Sequence, residues 1–113
     1  MNKTEVYSGT GWLSRTMIGF CQDGGIYKRT GWDSSRIGSY HDGELYSGFG
    51  WASSQVGSYE NGTVYRGHGW SKEAVGSFNG GIIYKGTGWS KAAVGSYSGF
   101  EGGAAAALLL LLI

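Results

Sequence analysis

The chain has 113 residues, the size of one domain, and its nine basic residues nearly balance its eight acidic ones. A net charge of +1 provides no basic field for nucleic acid, and the charges are spaced singly, so no charged patch can be recognised from the sequence. Glycine accounts for 23 residues, about three times its ordinary share. With 15% aromatic residues, this composition favours tight turns between short packed strands over a disordered chain.

The cysteine content and the first residues of the chain bear on the cellular compartment of the protein. Cys21 is the single cysteine, so an intrachain disulfide is excluded. Residues 1–5 are polar and charged and lack the apolar run of a signal peptide. We therefore expect a cytoplasmic protein with no transmembrane span.

A unit of 19 to 20 residues occurs five times and dominates the sequence. Each unit has a Gly-Trp pair with a Tyr five residues before its Trp, and an Ile-Gly or Val-Gly step follows the pair. The tryptophans are Trp12, Trp32, Trp51, Trp70 and Trp89. The units are predicted at about 6–25, 26–44, 45–63, 64–82 and 83–99, within a repeat domain spanning 1–103.

Each unit contains a signal for a β-hairpin. Asn61-Gly62 separates two short β-prone runs, and both residue types adopt the positive φ that a type I′ turn requires. Turns are also predicted at Asp23-Gly24, Asp42-Gly43 and Asn79-Gly80. Four complete hairpins follow, at about 16–29, 35–48, 54–67 and 73–86. The Gly-Trp pairs then fall in the connections between hairpins.

Two half-hairpins remain, at 4–8 and 93–98. Pairing them would build a fifth hairpin from both ends of the chain and close the ring. The predicted fold is therefore all-β, with hairpins arranged radially in a closed, petal-like ring. An open array with capped ends is the alternative.

The recurring glycines and tryptophans have structural and functional interpretations. A Gly inside a strand at the same point of every unit indicates a close approach of backbones near a shared centre. The tryptophans could form a layer packed between units. They could also be flat platforms for sugar rings, which makes Trp12, Trp32, Trp51, Trp70 and Trp89 the candidate ligand-binding residues.

Little in the sequence points to catalysis. His41 and His68 fall at different places in the unit, without a second ligand at metal-binding spacing, so no metal site is predicted. Cys21 takes the place of His41 or Glu60 in the repeat and is interpreted as incidental rather than as a nucleophile. We predict no catalytic residues and no cofactor, so the chain is not expected to be an enzyme.

The segment 104–113 breaks the repeat with ten consecutive apolar residues. As a helix it would span about 15 Å, half of a bilayer core, which is too short for a transmembrane helix. The favoured interpretation is an apolar strand or plug packed on or in the ring. A segment for self-association or partner docking is the alternative, and membrane insertion or aggregation is a third.

The pattern Tyr-x-Gly-x-Gly-Trp-Ser-x-x-x-Val-Gly-Ser-Tyr, followed by the Ala/Leu tail, resembles the bacterial 4-fold β-flower domain family. Residues 65–84 and 84–97 carry the resemblance, the first three units match more loosely, and Arg29 stands where other units have Gly. The resemblance implies hairpin petals around an axis and no known activity.

Composition, repeat and resemblance together predict a binding or assembly module that acts through a self-associating surface, with a glycan or protein as partner. Multivalent carbohydrate binding by the Trp/Tyr loops is the alternative function.

Overall fold

The computed structural model describes residues 3–9, 16–30, 33–48, 53–67, 72–86, 88, 91–99 and 101–112. These residues form ten β-strands followed by a helical tail. The strands are β1 (Lys3–Ser8), β2 (Thr16–Gln22), β3 (Gly25–Thr30), β4 (Asp33–His41), β5 (Glu44–Ser47), β6 (Ser54–Glu60), β7 (Thr63–Arg66), β8 (Glu73–Asn79), β9 (Ile82–Lys85) and β10 (Ala92–Ser98).

The strands form a closed antiparallel barrel in which each strand pairs with its neighbours in the chain. The first and last strands close it, with Glu5 opposite Ser98 and Ser8 opposite Gly95. The all-β closed ring is therefore confirmed, and its fifth hairpin is built from the two ends of the repeat region. Closure leaves no free strand edge in the barrel.

The hairpin turns follow the predicted chemistry. Both central residues of each turn have positive φ, as a type I′ turn requires; for Asn61 and Gly62 the values are 52° and 83°. One prediction is wrong by a residue. Asn79 ends β8, and the turn is Gly80-Gly81, with φ values of 60° and 88°. Asn79 remains in the strand because Gly80 occupies the turn position that Asn61 occupies in the preceding hairpin.

Two layers of side chains fill the barrel between its middle and the hairpin turns. The odd-numbered strands each contribute one fully buried aliphatic residue. These are Val6, Ile26, Leu45, Val64 and Ile83. The even-numbered strands contribute a second layer nearer the turns. Its members are Cys21, Tyr40, Tyr59, Phe78 and Tyr97.

The pairing corrects the assigned position of Cys21 in the repeat. Cys21 lies opposite Ile26, just as Tyr40 lies opposite Leu45, so Cys21 is equivalent to Tyr40 and not to His41 or Glu60. The extra residue of the first unit precedes Gly19, so an alignment on tryptophan alone shifts the unit by one position. Cys21 is thus an interior residue that replaces an aromatic ring.

A β-bulge recurs in every even-numbered strand at the Ile or Val that precedes the conserved repeat glycine. In β8, for example, Ala74 pairs with Tyr65 and Gly76 pairs with Val64, which leaves Val75 as the extra residue. The five bulged residues are half-buried and pack against the core. They are Ile18, Ile37, Val56, Val75 and Val94. The bulges therefore add a third apolar layer to a barrel of short strands.

The tail enters the barrel as a helix. It consists of α1 (Gly102–Ala107) and a π-helical segment (Leu108–Leu112). Residues 104–108 have 0% exposure and belong to the same apolar core as the barrel's aliphatic layer. The prediction that the tail packs in the ring is confirmed, as a helix and not as a strand, because helical hydrogen bonds satisfy the backbone inside an apolar barrel.

The five leucines of the tail meet the five repeat glycines one to one. These glycines, which we call the Gly layer, are Gly19, Gly38, Gly57, Gly76 and Gly95. A Cβ placed on each would contact a different leucine, in that order Leu108, Leu112, Leu111, Leu110 and Leu109. Four of these contacts would be 3.0 Å or shorter. Each glycine is therefore a notch that receives one leucine.

The π-helical geometry suits this match. Successive residues of an α-helix are 100° apart, so Leu112 would point only about 40° from Leu108. A π-helix is wider, with i→i+5 hydrogen bonds, and separates these two side chains further. Five leucines can then face the five repeats in turn.

Close contacts also position the start of the tail. The buried Thr4 hydroxyl accepts a hydrogen bond from the Glu101 N–H at 2.9 Å, which ties the tail to β1. A Cβ on Gly102 would lie 2.7 Å from the ring of Tyr97, and one on Gly103 would fall on the ring of Tyr59. The two glycines therefore let the helix lie flush against the aromatic layer.

Arg29, the departure from the repeat, changes the strand ends locally. In the other units a positive-φ glycine follows the strand, and its N–H bonds the carbonyl of a bulged residue, as Gly67 does with Val56 at 2.9 Å. Arg29 instead continues the ladder opposite Ser34. As a result, β3 and β4 extend further than their counterparts.

Candidate functional site

The five Gly-Trp segments all join strands at one end of the barrel, opposite the type I′ turns. We define the Gly-Trp rim as the described residues that lie between the Gly layer and the Gly-Trp segments. We define the turn rim as the described residues that lie between the aliphatic layer and the type I′ turns. The candidate ligand-binding residues Trp12, Trp32, Trp51, Trp70 and Trp89 lie outside the described residues. The site is therefore built from the strand ends that flank them.

The Gly-Trp rim is basic. Seven exposed cations lie there, most of them one or two residues after the repeat Tyr or just before the bulge. They are Lys28, Arg29, Arg36, Arg66, Lys72, Lys85 and Lys91. The only acidic residues described at this rim are Asp33 and Glu73.

The turn rim is acidic. Among the described residues it has one cation, Lys3, against six carboxylates. These are Glu5, Asp23, Asp42, Glu44, Glu60 and Glu101. The sequence, in which the charges are spaced singly, does not show this distribution. Acidic residues flank the turns and basic residues follow the repeat Tyr, so charges that alternate along the sequence are weighted towards opposite ends of the barrel.

Apolar groups accompany the charge at each rim. At the Gly-Trp rim, the side chains of residues 109–112 are half-buried and, like the bulged residues, pack against the core. A cleft beside them is lined by Lys85, Val94, Leu109 and Leu110. At the turn rim, the half-buried rings of Tyr59 and Phe78 lie edge to face, with centroids 6.5 Å apart. Each rim therefore combines one sign of charge with partly exposed apolar surface.

Five half-buried tyrosines, one per unit, face outward between the rims. They are Tyr7, Tyr27, Tyr46, Tyr65 and Tyr84. Three of the rings have covered faces. Phe20 stacks on Tyr27 at 4.8 Å, and the Nζ atoms of Lys72 and Lys91 lie 4.6 and 4.8 Å from the ring centroids of Tyr65 and Tyr84. These faces are therefore occupied within the chain.

A shallow cleft of about 400 Å³ lies on the outer wall beside β5 and β6. Its lining includes the carboxylates of Asp42, Glu44 and Glu60, the cation Lys72, which extends to it from the Gly-Trp rim, and the half-buried Tyr59. Burial, and then the charge of Glu101, raises the pKa of the Tyr59 hydroxyl well above its usual range. Tyr59 therefore remains protonated at neutral pH and can donate a hydrogen bond but cannot act as a base.

Cys21 has the chemistry of a core residue. It has 0% exposure, and desolvation by burial, followed by the charge of Glu101, raises the pKa of its thiol to about 12. A thiolate is the reactive form of cysteine, so this environment suppresses nucleophilic chemistry. This buried position agrees with the interpretation from the sequence, in which Cys21 is not a nucleophile.

We expect the folded protein to protect the Cys21 thiol from modification. A shift from 9.0 to about 12 lowers the thiolate fraction at pH 8 by about a thousandfold, and burial blocks access as well. The reaction with Ellman's reagent should therefore be at least that much slower in buffer than in urea. A Cys21→Ser, Ser54→Cys variant, whose thiol is exposed, should react at the unfolded rate in both. Equal rates for native and unfolded Cys21 would contradict the assignment.

Metal-binding and membrane-spanning features are absent from the part of the chain that the structure describes. It contains no group of three His, Cys, Asp or Glu side chains placed to hold a metal ion. It also contains no helix with the length and hydropathy needed to cross a bilayer.

No family model, curated protein or solved structure matches this chain. The site was not predictable as one motif because no short segment contains it. Its signal in the sequence is the place of each charge within the repeat: basic on one side of the Gly layer and acidic on the other.

Proposed function

We propose that this chain is a non-enzymatic binding or assembly module that acts through its Gly-Trp rim. The observation that carries the proposal is the separation of charge, with seven described cations at the rim to which all five Gly-Trp segments connect. Cations and tryptophans are both common at binding surfaces, the former for steering and the latter for anchoring.

The filled interior supports a role on the outside of the barrel. Residues 102–108 are buried along the axis, where some barrels of this size hold a ligand. The buried Cys21 and the protonated Tyr59 do not supply an activated nucleophile or base. The resemblance to the 4-fold β-flower family fits this proposal too, although the barrel here has five hairpins.

Multivalent carbohydrate binding remains the second candidate. Its support is the outward tyrosine with a Ser directly across the strand pair, as in Tyr65 and Ser58, which recurs in four units. An aromatic face beside hydroxyls suits a sugar ring. Lys72 and Lys91 cover two of these faces, however, so the tyrosines favour this candidate less than the charged rim favours assembly.

The test compares the wild type with a Lys72→Glu, Lys91→Glu variant in three assays: self-association, binding to phosphatidylglycerol vesicles, and a glycan array. Both side chains are exposed, so the variant should keep its fold, with circular dichroism and melting as the check. We expect at least one assay to detect wild-type binding that the variant loses. If the wild type is inactive in all three, or the variant retains every interaction, the proposed use of the Gly-Trp rim is wrong.

A further inference from the structure

The two rims are complementary in charge. The described part of the Gly-Trp rim has an excess of five positive charges, and the turn rim has an equal excess of negative charges. Some opposite charges lie near each other on the barrel wall. Arg66 and Glu44 pair with adjacent residues of β6, and Lys72 lines the acidic cleft beside β5 and β6. Each rim nevertheless keeps a net charge of opposite sign, and a partner that approaches one end of the barrel meets that net charge.

We propose that copies of this chain associate head to tail, with the basic Gly-Trp rim of one copy against the acidic turn rim of the next. The proposal rests on the proposed function and names its partner as a second copy of the chain. It gives roles to both rims, whereas a polyanion or an anionic membrane would use the basic rim alone.

Geometry and apolar surface support the same partner. Both rims belong to one barrel with five hairpins, so five positions around one rim can face five positions around the other. The half-buried leucines 109–112 lie at one rim, and the half-buried rings of Tyr59, Phe78 and Tyr97 lie towards the other. Apolar surface inside a charged border is the usual arrangement of a protein interface.

Different surfaces of the two copies meet in such a contact, so it is heterologous. A heterologous contact that runs along one axis does not close, and it leads to stacks of several copies. The contact is also electrostatic, and salt weakens it. Self-association should therefore depend on both protein concentration and ionic strength.

The experiment is sedimentation velocity at about 20 mM and about 0.5 M NaCl, where screening differs most. We expect the wild type to exceed twice its 12.0 kDa monomer mass at low salt and to return to monomer at high salt. A basic-rim variant, Lys72→Glu, Lys91→Glu, and an acidic-rim variant, Glu44→Lys, Glu60→Lys, should each remain monomeric at low salt. All four positions are exposed.

Mixing the two variants identifies the contact. Each variant retains the rim that the other has lost, so an equimolar mixture should form a heterodimer and no larger species. As a matched control, Lys3→Glu, Glu73→Lys keeps the net charge and increases the charge difference between the rims, so it should associate more strongly than the wild type.

A wild type that is monomeric at low salt, or variants that do not form a heterodimer when mixed, would overturn the head-to-tail contact. Vesicle or glycan binding that the basic-rim variant loses and the acidic-rim variant retains would also overturn it. In that case the proposed function of the Gly-Trp rim would stand. If the wild type binds in none of the assays, both the head-to-tail contact and the proposed function of the Gly-Trp rim are wrong.

Discussion

A chain truncated after Glu101 should fail to form a stable barrel. The truncation removes α1 and the leucines, of which residues 104–108 have 0% exposure, and leaves a cavity lined by the aliphatic layer. Protein interiors are close-packed, and Leu→Ala in a core typically costs about 2–5 kcal/mol. Loss of a whole central helix exceeds that several times and is comparable to the total stability of a small domain. Circular dichroism and thermal melting of the truncated chain measure the effect.

Two point variants provide a graded control. Leu108→Ala, at a fully buried position, should lower the free energy of unfolding by about 2–5 kcal/mol. Leu112→Ala, at the half-buried end of the same segment, should lower it by less than half as much. If the truncated chain is a monomer that melts like the full chain, the tail is not the core of the barrel.

Gly76→Ala should destabilise the barrel by about 3 kcal/mol or more, although it adds a single methyl group. The new Cβ would lie 2.5 Å from Leu110 Cδ1 and closer still to the carbonyl oxygen of Tyr84. The leucine can rotate away, but the carbonyl belongs to the paired strand β9 and cannot move without breaking the ladder. Overpacking alone typically costs 1–3 kcal/mol, and the backbone clash adds to it. Urea denaturation measures the change.

Gly80→Asn is the matched control for Gly76→Ala. Gly80 occupies the turn position that Asn61 occupies in the preceding hairpin, its φ is 60°, and a Cβ there would meet nothing within 4 Å. Asn tolerates this conformation, so stability should change by less than about 0.5 kcal/mol. Equal effects at the two glycines would show that the Gly layer is not a site of close packing.

The sequence predicted the architecture because its signals are local and repeat. The Asp-Gly and Asn-Gly turns fix the hairpins, and two unmatched half-hairpins leave ring closure as the way to pair the end strands. The interior Ile-Gly and Val-Gly steps were correctly interpreted as close approaches. A run of alanine and leucine has no local signal for a π-helix, however, because the surrounding glycines set that geometry.

The remaining errors have spatial causes. Cys21 was misplaced because the extra residue of the first unit lies before Gly19, and strand pairing, not the spacing from tryptophan, determines its equivalence to Tyr40. The charged rims are not visible in the sequence because residues such as Glu60 and Lys85 are on different strands of a meander. Separation along the barrel axis becomes visible only when strand direction is known.

The match between five leucines and five glycines has a consequence for how such a chain can evolve. Repeat proteins usually grow or shrink by duplicating or deleting units. Here a sixth hairpin would lack a leucine, and a loss of one would leave a leucine without a notch. The tail therefore constrains the size of the barrel, because the number of hairpins and the number of leucines can change only together.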